Sequence, residues 1–400
     1  MRPNKNSRLR ILLLGYIIRG PMGGMTWHHL QYMLGLHQMG HEVYFLEDSG
    51  DTFYSCYDPV RNVTDPNPAY GLQYAKRVFE KFGFNDRWGY YNHHQKKWHG
   101  PIAQNALEII KHADILLNLS CSNVLRPWLQ DIPVRALIDT DPVFTQVRNL
   151  TDAERFQFSK QHSSFFTYGE NFSQLGCYMP DDELPWEPTR QPVVLSAWPV
   201  TPGNAKAPFT TVMKWESYPG KEYKNRHYGM KSESFNPYMA IPKKTHSIME
   251  IAVSDSSAPR QSLMLNGWRL SSAQKISGDP WHYQEYIQKS KAEFSIAKHG
   301  YVEARTGWFS ERSAGYLASG RPVVLQDTGF SDWLYGDCGV VPFSNIDEAL
   351  VAVEDVNNNY AMHSRAAREL AETYFSSDKV LTELLEKSFH IKRSVSETTL

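Results

Sequence analysis

The chain has 400 residues, enough for two or three average domains or for one enzyme built from two similar halves. Its 42 Lys and Arg residues face 43 Asp and Glu residues, so the formal net charge is −1. No general basic field exists to bind nucleic acid or an anionic membrane non-specifically. Apolar residues make up 41% and charged residues 21% of the chain, which excludes wholesale disorder.

The cysteines and the N-terminal residues give an expectation about the cellular compartment of the protein. The four cysteines are far apart and show no CxxC or Cys/His spacing, so we expect reduced thiols, no disulfide and no structural zinc. MRPNKNSRLR followed by ILLLGYII imitates a signal peptide, but RGPMGGM follows instead of a small-residue cleavage site. No run of 18 apolar residues occurs. We expect a cytoplasmic protein without a transmembrane segment; the oligomeric state stays open.

The first half alternates strands and helices. Residues 10–16 are a short apolar run before a Gly/Pro-rich loop, the pattern of a buried parallel strand. A helix follows, with Thr26 as its cap and apolar residues at helical spacing until Gly40. With the strand-like residues 41–47 this predicts a Rossmann-type crossover. The alternation continues with helices near 70–82, 103–112 and 122–130 and strands at Ile115–Leu119, Val134–Asp139 and Phe165–Tyr168.

Seven prolines crowd residues 177–210, which we interpret as an interdomain linker. Beyond it, strands are predicted at Thr211–Trp215, Ile248–Val253, Trp268–Leu270, Phe294–Ala297, Val323–Gln326 and Val340–Val341, with helices near 233–240, 258–265, 280–291 and 311–319. A long helical stretch runs from Asn345 to Lys387, and a frayed tail is expected from His390 onward. The predicted fold class is α/β, with two consecutive Rossmann-like, doubly wound domains. We place the first domain at 1–195, the second at 196–375, and a closing helix and tail at 376–400.

Candidate bases lie at the first crossover. Gly23 and Gly24 permit a tight turn and the close approach of a ligand to the helix N-terminus. His28 and His29 follow in the first helical turn, where side chains of a doubly wound domain face the crevice at the strand ends. On a helical wheel His28 falls away from the apolar face, so it is the preferred base. The alternative is a surface histidine pair.

A second motif spans residues 307–324 and predicts a loop, a helix and a strand. Ser310 caps the helix, and Arg312 and Ser313 lie beside its free backbone amides, a combination that suits a pyrophosphate. The alternative makes Arg312 a salt-bridge partner of Glu311 or Glu303.

These two motifs resemble those of glycosyltransferases with the GT-B fold, of the family 1 and family 4 type. Gly23-Gly24, His28, Leu36 and Gly40-His41-Glu42-Val43 match the acceptor-side opening GGxxxH…L…GHEV, and AGYLASGRPVVLQDTGF is similar to the donor-side EALACGTPVVASDVGG. The resemblance implies a closing helix that crosses back to the first domain, and a nucleotide-sugar donor bound by the second. Gly315 replaces the glutamate of the retaining enzymes, so stereochemistry is not implied, and Glu311 becomes the candidate for the ribose.

The resemblance also bears on the carboxylates at strand ends. Asp139-Thr140-Asp141 is a DxD pair able to hold Mg²⁺ on a diphosphate, but GT-B enzymes meet that charge with a helix dipole and basic residues. We therefore interpret the pair as lining the cleft, with Asp141 as a candidate base. Asp48 ends the second strand, where it would orient a histidine or merely cap a turn. Candidate donor-binding residues are Lys214, Lys298, Ser310, Glu311, Arg312, Ser313, Asp327, Thr328, Gly329 and Phe330.

The sequence thus predicts a metal-independent, hexosyltransferase-like glycosyltransferase. It would move a sugar from a nucleoside-diphosphate sugar to an unidentified acceptor hydroxyl between the domains, without a further cofactor. The alternatives are a nucleotide-sugar epimerase or hydrolase on the same scaffold, and a non-catalytic nucleotide-sugar binding protein.

Overall fold

A computed structural model describes residues 8–336 and 338–397, the last seven of them by backbone alone. The first half forms ten strands and six helices: β1 Arg10–Leu14, α1 Gly23–Gln38, β2 Glu42–Asp48, β3 Cys56–Asp58, β4 Val63–Asp65, α2 Ala69–Lys81, β5 Trp88–Asn92, β6 Lys97–His99, α3 Ala106–Lys111, β7 Ile115–Leu119, α4 Pro127–Gln130, β8 Val134–Asp139, α5 Phe144–Thr151, α6 Ala153–Lys160, β9 Ser164–Thr167 and β10 Trp186–Pro188.

Eight of these strands form one sheet in the order β10-β9-β8-β7-β1-β2-β5-β6. All neighbours pair in parallel except β5 and β6, which form an antiparallel hairpin. Helices cover both faces of the sheet, so its central strands are apolar along their length rather than alternating, as in RILLL of β1 and ILLNL of β7.

The second half contains a second sheet and the C-terminal helices: β11 Phe209–Met213, β12 Lys221–Tyr223, β13 Arg226–Tyr228, α7 Lys231–Phe235, α8 Ile241–Thr245, β14 Met249–Val253, α9 Arg260–Leu265, β15 Arg269–Ser272, α10 Ala273–Ser277, α11 Pro280–Lys289, β16 Ala292–Ser295, α12 His299–Glu303, α13 Glu311–Ala318, β17 Val323–Gln326, β18 Val340–Phe343, α14 Ile346–Asn358, α15 Tyr360–Leu370 and α16 Ser377–Glu397. The second sheet has six strands, all parallel, in the order β15-β14-β11-β16-β17-β18. The other two, β12 and β13, form a separate antiparallel hairpin. Two doubly wound α/β sheets follow one another, as predicted.

Two chain segments cross between the sheets side by side. Val193, in the proline-rich segment, donates its backbone N–H to the Phe375 carbonyl and accepts the N–H of Ser377, the first residue of α16. Helix α16 then packs on α1, where a Cβ at Gly35 would lie 2.6 Å from Leu381. The closing helix therefore returns to the first sheet.

Two sequence predictions about helix ends are wrong. Helix α1 begins at Gly23 with Met22 as its N-cap, and the Thr26 hydroxyl donates to the Met22 carbonyl from inside the first turn instead of capping the helix. The tail expected from His390 is helical up to Glu397, and 398–400 lie outside the described residues. Among the described residues, no helix has the length and apolar character needed to cross a membrane.

Candidate functional site

A pocket of about 330 Å³ opens between the two sheets, with α1 on one side and the first turn of α13 on the other. The first half contributes Trp27, His28 and Gln31 to its lining, and the second contributes Glu311 and Arg312. The fold thus brings the preferred candidate base and two candidate donor residues to one place. This follows from the topology, because both helices begin at the carboxyl ends of parallel strands.

A second pocket, of about 260 Å³, lies at the carboxyl ends of β16 and β17 beside the start of α13. Ser310, Arg312, Ser313, Thr328 and Phe330 from the predicted donor set line it. Arg312 lines both pockets, so the two adjoin.

Two polar atoms of this second pocket's lining residues have no hydrogen-bond partner among the described residues. They are the Ser313 hydroxyl and the Trp308 indole N–H, and both are buried. Because buried polar groups are normally paired, each is available to a polar ligand in this pocket.

The N-terminus of α13 faces this pocket. Ser310 is the N-cap, and its hydroxyl oxygen accepts the backbone N–H of Arg312 at 3.2 Å. The remaining first-turn amides and the positive end of the helix dipole favour an anion.

Arg312 forms a buried ion pair, but not with the partners considered from the sequence. Its Nε donates to the carboxylate of Glu293, on β16, at 2.6 Å, and its terminal nitrogens donate to the Val212 carbonyl and the Ser295 hydroxyl. Burial opposes its charge, but Glu293 outweighs burial and raises the pKa of Arg312. The alternative considered from the sequence, a salt bridge of Arg312, is thus present, but its partner is Glu293 on β16 rather than Glu311 or Glu303.

Lys231, at the start of α7, is a cation that sequence reasoning missed. It forms no hydrogen bond or ion pair with any described residue, and burial together with the charge of Arg312 lowers its pKa to about 7. Lys231 lines neither pocket, although the charges of Arg312 and Glu311 act on it. No motif or residue spacing in the segment YGMKS, residues 228–232, distinguishes Lys231 in the sequence.

The two lysines selected from the sequence differ in their surroundings. Lys214 follows β11, is exposed, and lines neither pocket. Lys298 is instead part of a cluster that joins the two sheets: its Nζ lies 2.7 Å from Asp141. The hydroxyls of Tyr218 and Tyr301 also donate to Asp141.

This cluster determines the ionisation of the Asp141 carboxyl group. Burial opposes its ionisation, but Lys298 and Arg148 outweigh burial and lower the pKa of Asp141. The other member of the DxD pair, Asp139, is fully buried and accepts hydrogen bonds from Thr145 and Thr167. Both carboxylates are thus already hydrogen-bonded, although 22% of the Asp141 side chain is exposed.

The two histidines are not equivalent. His29 is fully buried, with Nε2 accepting the Tyr16 amide and Nδ1 bonded to the Met25 carbonyl, so both of its nitrogens are used inside the protein. Burial lowers its pKa to about 3. A general base needs a lone pair within reach of a substrate, so His29 is not suited to the catalytic role considered for it.

His28 faces the interdomain pocket. Its Nε2 lies 3.3 Å from the Ser120 hydroxyl, which also accepts a hydrogen bond from Thr140. Burial lowers the pKa of His28 to about 4, so it is neutral at physiological pH. Its Nδ1 has no partner among the described residues.

Asp48 does not orient either histidine, and that prediction is wrong. Its carboxylate receives two hydrogen bonds from Arg126, at 2.8 and 2.9 Å, and a third from the Gly50 amide. The turn-capping alternative describes it better.

The glycines of both motifs allow close contacts within the protein. A Cβ at Gly23 would lie 2.3 Å from the Asp279 carbonyl, and one at Gly24 would lie 3.0 Å from the Tyr283 ring, so α1 meets α11 here. Gly24 and Tyr283 also line the interdomain pocket. Gly329 lies against Asn171 with a φ of +89°, and the Asp327 carboxylate accepts its amide at 2.9 Å.

Gly315 packs against an indole. A Cβ there would lie 3.3 Å from the ring of Trp198, a buried residue of the proline-rich segment. The space that a longer side chain would need is therefore filled by Trp198, and Glu311, one turn earlier, is the carboxylate on this side of the interdomain pocket.

No protein-family model and no curated protein matches the chain. Solved structures do match. An alpha-glucosyltransferase in complex with UDP gives a TM-score of 0.59 at 12% identity, covering 95% of this chain and 100% of its own. AviGT4, a glycosyltransferase involved in avilamycin A biosynthesis, gives 0.54 at 12% identity over 96% and 98% of the two chains. Sucrose-phosphate synthase from Thermosynechococcus elongatus gives 0.51 at 10% identity over 96% and 100%. The two-domain GT-B fold of these glycosyltransferases is the fold of this chain.

Proposed function

We propose that the protein is a glycosyltransferase that moves a sugar from a nucleoside-diphosphate sugar to an acceptor hydroxyl in the interdomain pocket. The observation that carries the proposal is the convergence of His28 with the start of α13, next to a pocket whose Ser313 and Trp308 lack partners. An alpha-glucosyltransferase among the matched structures is in complex with UDP-glucose, which supports a donor of this kind.

The donor's diphosphate would bind at the start of α13. The first-turn amides would supply hydrogen bonds to the leaving phosphate as charge grows on it, and the bound anion would raise the pKa of Lys231 above about 7 and keep it protonated. Arg312 would add its remaining N–H groups while Glu293 holds it in place. This arrangement needs no metal, so we propose a metal-independent transfer.

His28 would deprotonate the acceptor hydroxyl. Among the four candidates, Asp48 is bound to Arg126, Asp141 to Lys298, and His29 to backbone groups, whereas His28 is neutral and faces the pocket. The donor's sugar would lie between His28 and α13. No feature of the site favours an epimerase, a hydrolase or a non-catalytic sensor over transfer.

The orphaned hydroxyl of Ser313 gives a selective test. Ser313→Ala removes a buried group that has no partner, so the free energy of unfolding of the unliganded protein should not fall, whereas UDP should bind about fivefold more weakly for one lost hydrogen bond. Calorimetric titration with UDP and urea unfolding measure the two effects.

Ser319→Ala is the matched control, because Ser319 lies at the other end of α13 with an equally buried, unpartnered hydroxyl and lines neither pocket. It should leave UDP affinity unchanged. Equal affinity in wild type and Ser313→Ala, or no binding of any nucleoside diphosphate to the wild type, would refute the donor site. Transfer itself is then tested by incubating UDP-sugars with candidate acceptors and detecting glycosylated product.

A further inference from the structure

We propose a divalent-cation site outside the two pockets, formed by His227, Glu233 and His299. A ligand atom from each of the three side chains lies within 4.8 Å of the other two. His227 is on β13, Glu233 is in α7, and His299 begins α12, so three separate segments meet there. Metal sites commonly draw their ligands from separate elements in this way.

Two of the three side chains, His227 and Glu233, are held in position by a further group. Glu222, across the β12–β13 hairpin, accepts from His227 Nδ1 at 2.5 Å, which aims Nε2 at Glu233, 2.7 Å away. The Met230 amide donates to Glu233 at 3.2 Å. A carboxylate on the far nitrogen of a ligating histidine is the usual arrangement around bound metals.

His299 offers its lone pair at small cost. Its Nδ1 accepts the Gly229 amide at 3.3 Å, a long hydrogen bond that a cation would replace. Likewise, a cation would take the place of the proton that His227 now shares with Glu233. Because the cluster is partly exposed, a cation reaches it without rearrangement of the core.

The ligand atoms of these three side chains determine which class of cation would bind. Two imidazoles and one carboxylate suit a borderline ion such as Zn²⁺ or Ni²⁺, whereas Mg²⁺ prefers an all-oxygen shell. A bound ion would tie the hairpin to α7 and α12. Lys231 precedes Glu233 by two residues and Lys298 precedes His299 by one. The ion would therefore hold the backbone beside both lysines without contacting the proposed nucleotide-sugar donor.

The experiment is a calorimetric titration of Zn²⁺ into chelator-treated, dialysed full-length protein, and it does not depend on transferase activity. We expect one strong site per chain. Affinity should fall at least about tenfold in Glu222→Gln, which loses only the orienting carboxylate, and further in His227→Ala and Glu233→Gln. Bound Zn²⁺ should also raise the Tm of the wild type but not of His227→Ala.

His112→Ala is the matched control, because His112 forms an exposed pair with Glu108 at 2.7 Å but belongs to no such three-residue group among the described residues. It should keep wild-type affinity, and Mg²⁺ should not compete with Zn²⁺. Absence of Zn²⁺ binding to the wild type, or equal affinity in wild type, His227→Ala and Glu233→Gln, would overturn the site. UDP binding to wild type and His227→Ala, measured separately, reports on the proposed donor site and not on the metal.

Discussion

His28 and His29 are neighbours in the chain, yet their ring nitrogens meet different groups. Both His29 nitrogens are hydrogen-bonded to backbone groups, whereas His28 is hydrogen-bonded to the Ser120 hydroxyl through Nε2 and its Nδ1 has no partner among the described residues. One of two adjacent residues can thus face a substrate while the other is part of the core, because a helix turns about 100° between them.

The first prediction separates the two histidines by kinetics. His28→Ala should lower kcat for sugar transfer by about 10²–10⁴-fold, the usual loss for a general base, with UDP affinity nearly unchanged. In the wild type, kcat should rise through pH 4 and be flat above about pH 5, because His28 is then neutral. Steady-state rates with saturating acceptor measure both. Wild-type kcat in His28→Ala would move the base to Asp141.

The second prediction concerns stability and pH. His29 has a pKa of about 3 in the folded protein and an ordinary value of 6.5, so below pH 6.5 the unfolded chain takes up a proton that the native chain refuses. The free energy of unfolding should therefore fall as pH falls from 6.5 toward 3. In His29→Asn the free energy of unfolding should change less steeply with pH between pH 6 and 4. The slope should be smaller by about 1.4 kcal/mol per pH unit, which corresponds to one proton bound on unfolding.

Urea unfolding across this pH range checks the slope. His112→Ala, which removes an exposed histidine, should keep the wild-type slope. An identical slope in His29→Asn would mean that the imidazole titrates normally in the folded state.

The third prediction separates the structural role of Arg312 from its proposed ligand role. Arg312→Met leaves Glu293 buried without its cation and should cost about 3–5 kcal/mol of stability. Adding Glu293→Gln removes the stranded charge and should recover most of that loss, while UDP affinity stays low in both variants. Urea unfolding and calorimetry give the two quantities. Wild-type UDP affinity in the double variant would make Arg312 purely structural.

At the scale of elements, α1 shows how a tertiary contact sets a helix start. Glycine is a poor helix former, so the sequence favoured a start at Thr26, after the Gly-Gly pair. The helix nevertheless begins at Gly23, where α11 approaches so closely that a Cβ would meet the Asp279 carbonyl at 2.3 Å. The glycines are explained by this approach of the second domain.

The fourth prediction follows from that contact. An alanine in place of glycine usually stabilises a helix by about 1 kcal/mol. Gly23→Ala should instead destabilise the protein by about 1–3 kcal/mol, because its methyl group overlaps backbone atoms that cannot move alone. Urea unfolding measures the sign, and a stability equal to or above that of the wild type would contradict the packing of α1 on α11.

Elements with strong local signals were predictable, and others were not. Ile115–Leu119, Val134–Asp139 and Val323–Gln326 have the predicted bounds, since each is an apolar run flanked by breakers. The α5 and α6 helices were missed because they are short. Packing buries most of α5, whereas α6 buries only Ser159 and begins at an Asp152 cap, a local signal that the sequence analysis overlooked. The β12–β13 hairpin, with Lys224 and Asn225 at positive φ in its turn, carries no glycine signal.

The site was predictable only as far as topology dictates it. His28, Glu311 and Arg312 converge because residues that follow parallel strands lie at the carboxyl edge of their sheet, and the pocket is lined from that edge of both sheets. The pairings of Asp48 with Arg126 and of Arg312 with Glu293 join residues 78 and 19 positions apart, so no local spacing encodes them. Lys231 was missed for the same reason: its low pKa comes from burial and from a distant arginine.

At the scale of the whole molecule, polar contacts across the two sheets define the cleft. Asp141 of the first half receives Lys298 and two tyrosine hydroxyls from the second, and Asn171 donates to the Gly329 carbonyl at 2.9 Å. Such contacts use carboxylates and cations that would otherwise be available to a metal or a phosphate. In the proposed donor site, the start of α13 and Lys231 would therefore meet the charge of the diphosphate.

The last prediction follows from this distribution of charge: sugar transfer should persist in EDTA. Asp139 is saturated with hydrogen bonds and Asp141 is paired with Lys298, so neither can hold Mg²⁺ on a diphosphate without breaking buried contacts. Transfer rates in EDTA, and after added Mg²⁺ or Mn²⁺, measure the effect. The same assay in His227→Ala separates any loss due to the proposed Zn²⁺ site, which that variant lacks, from a metal requirement of the reaction. If EDTA stops transfer in both proteins and Mg²⁺ restores it, a metal carries the donor charge and the role given to Lys231 and α13 is wrong.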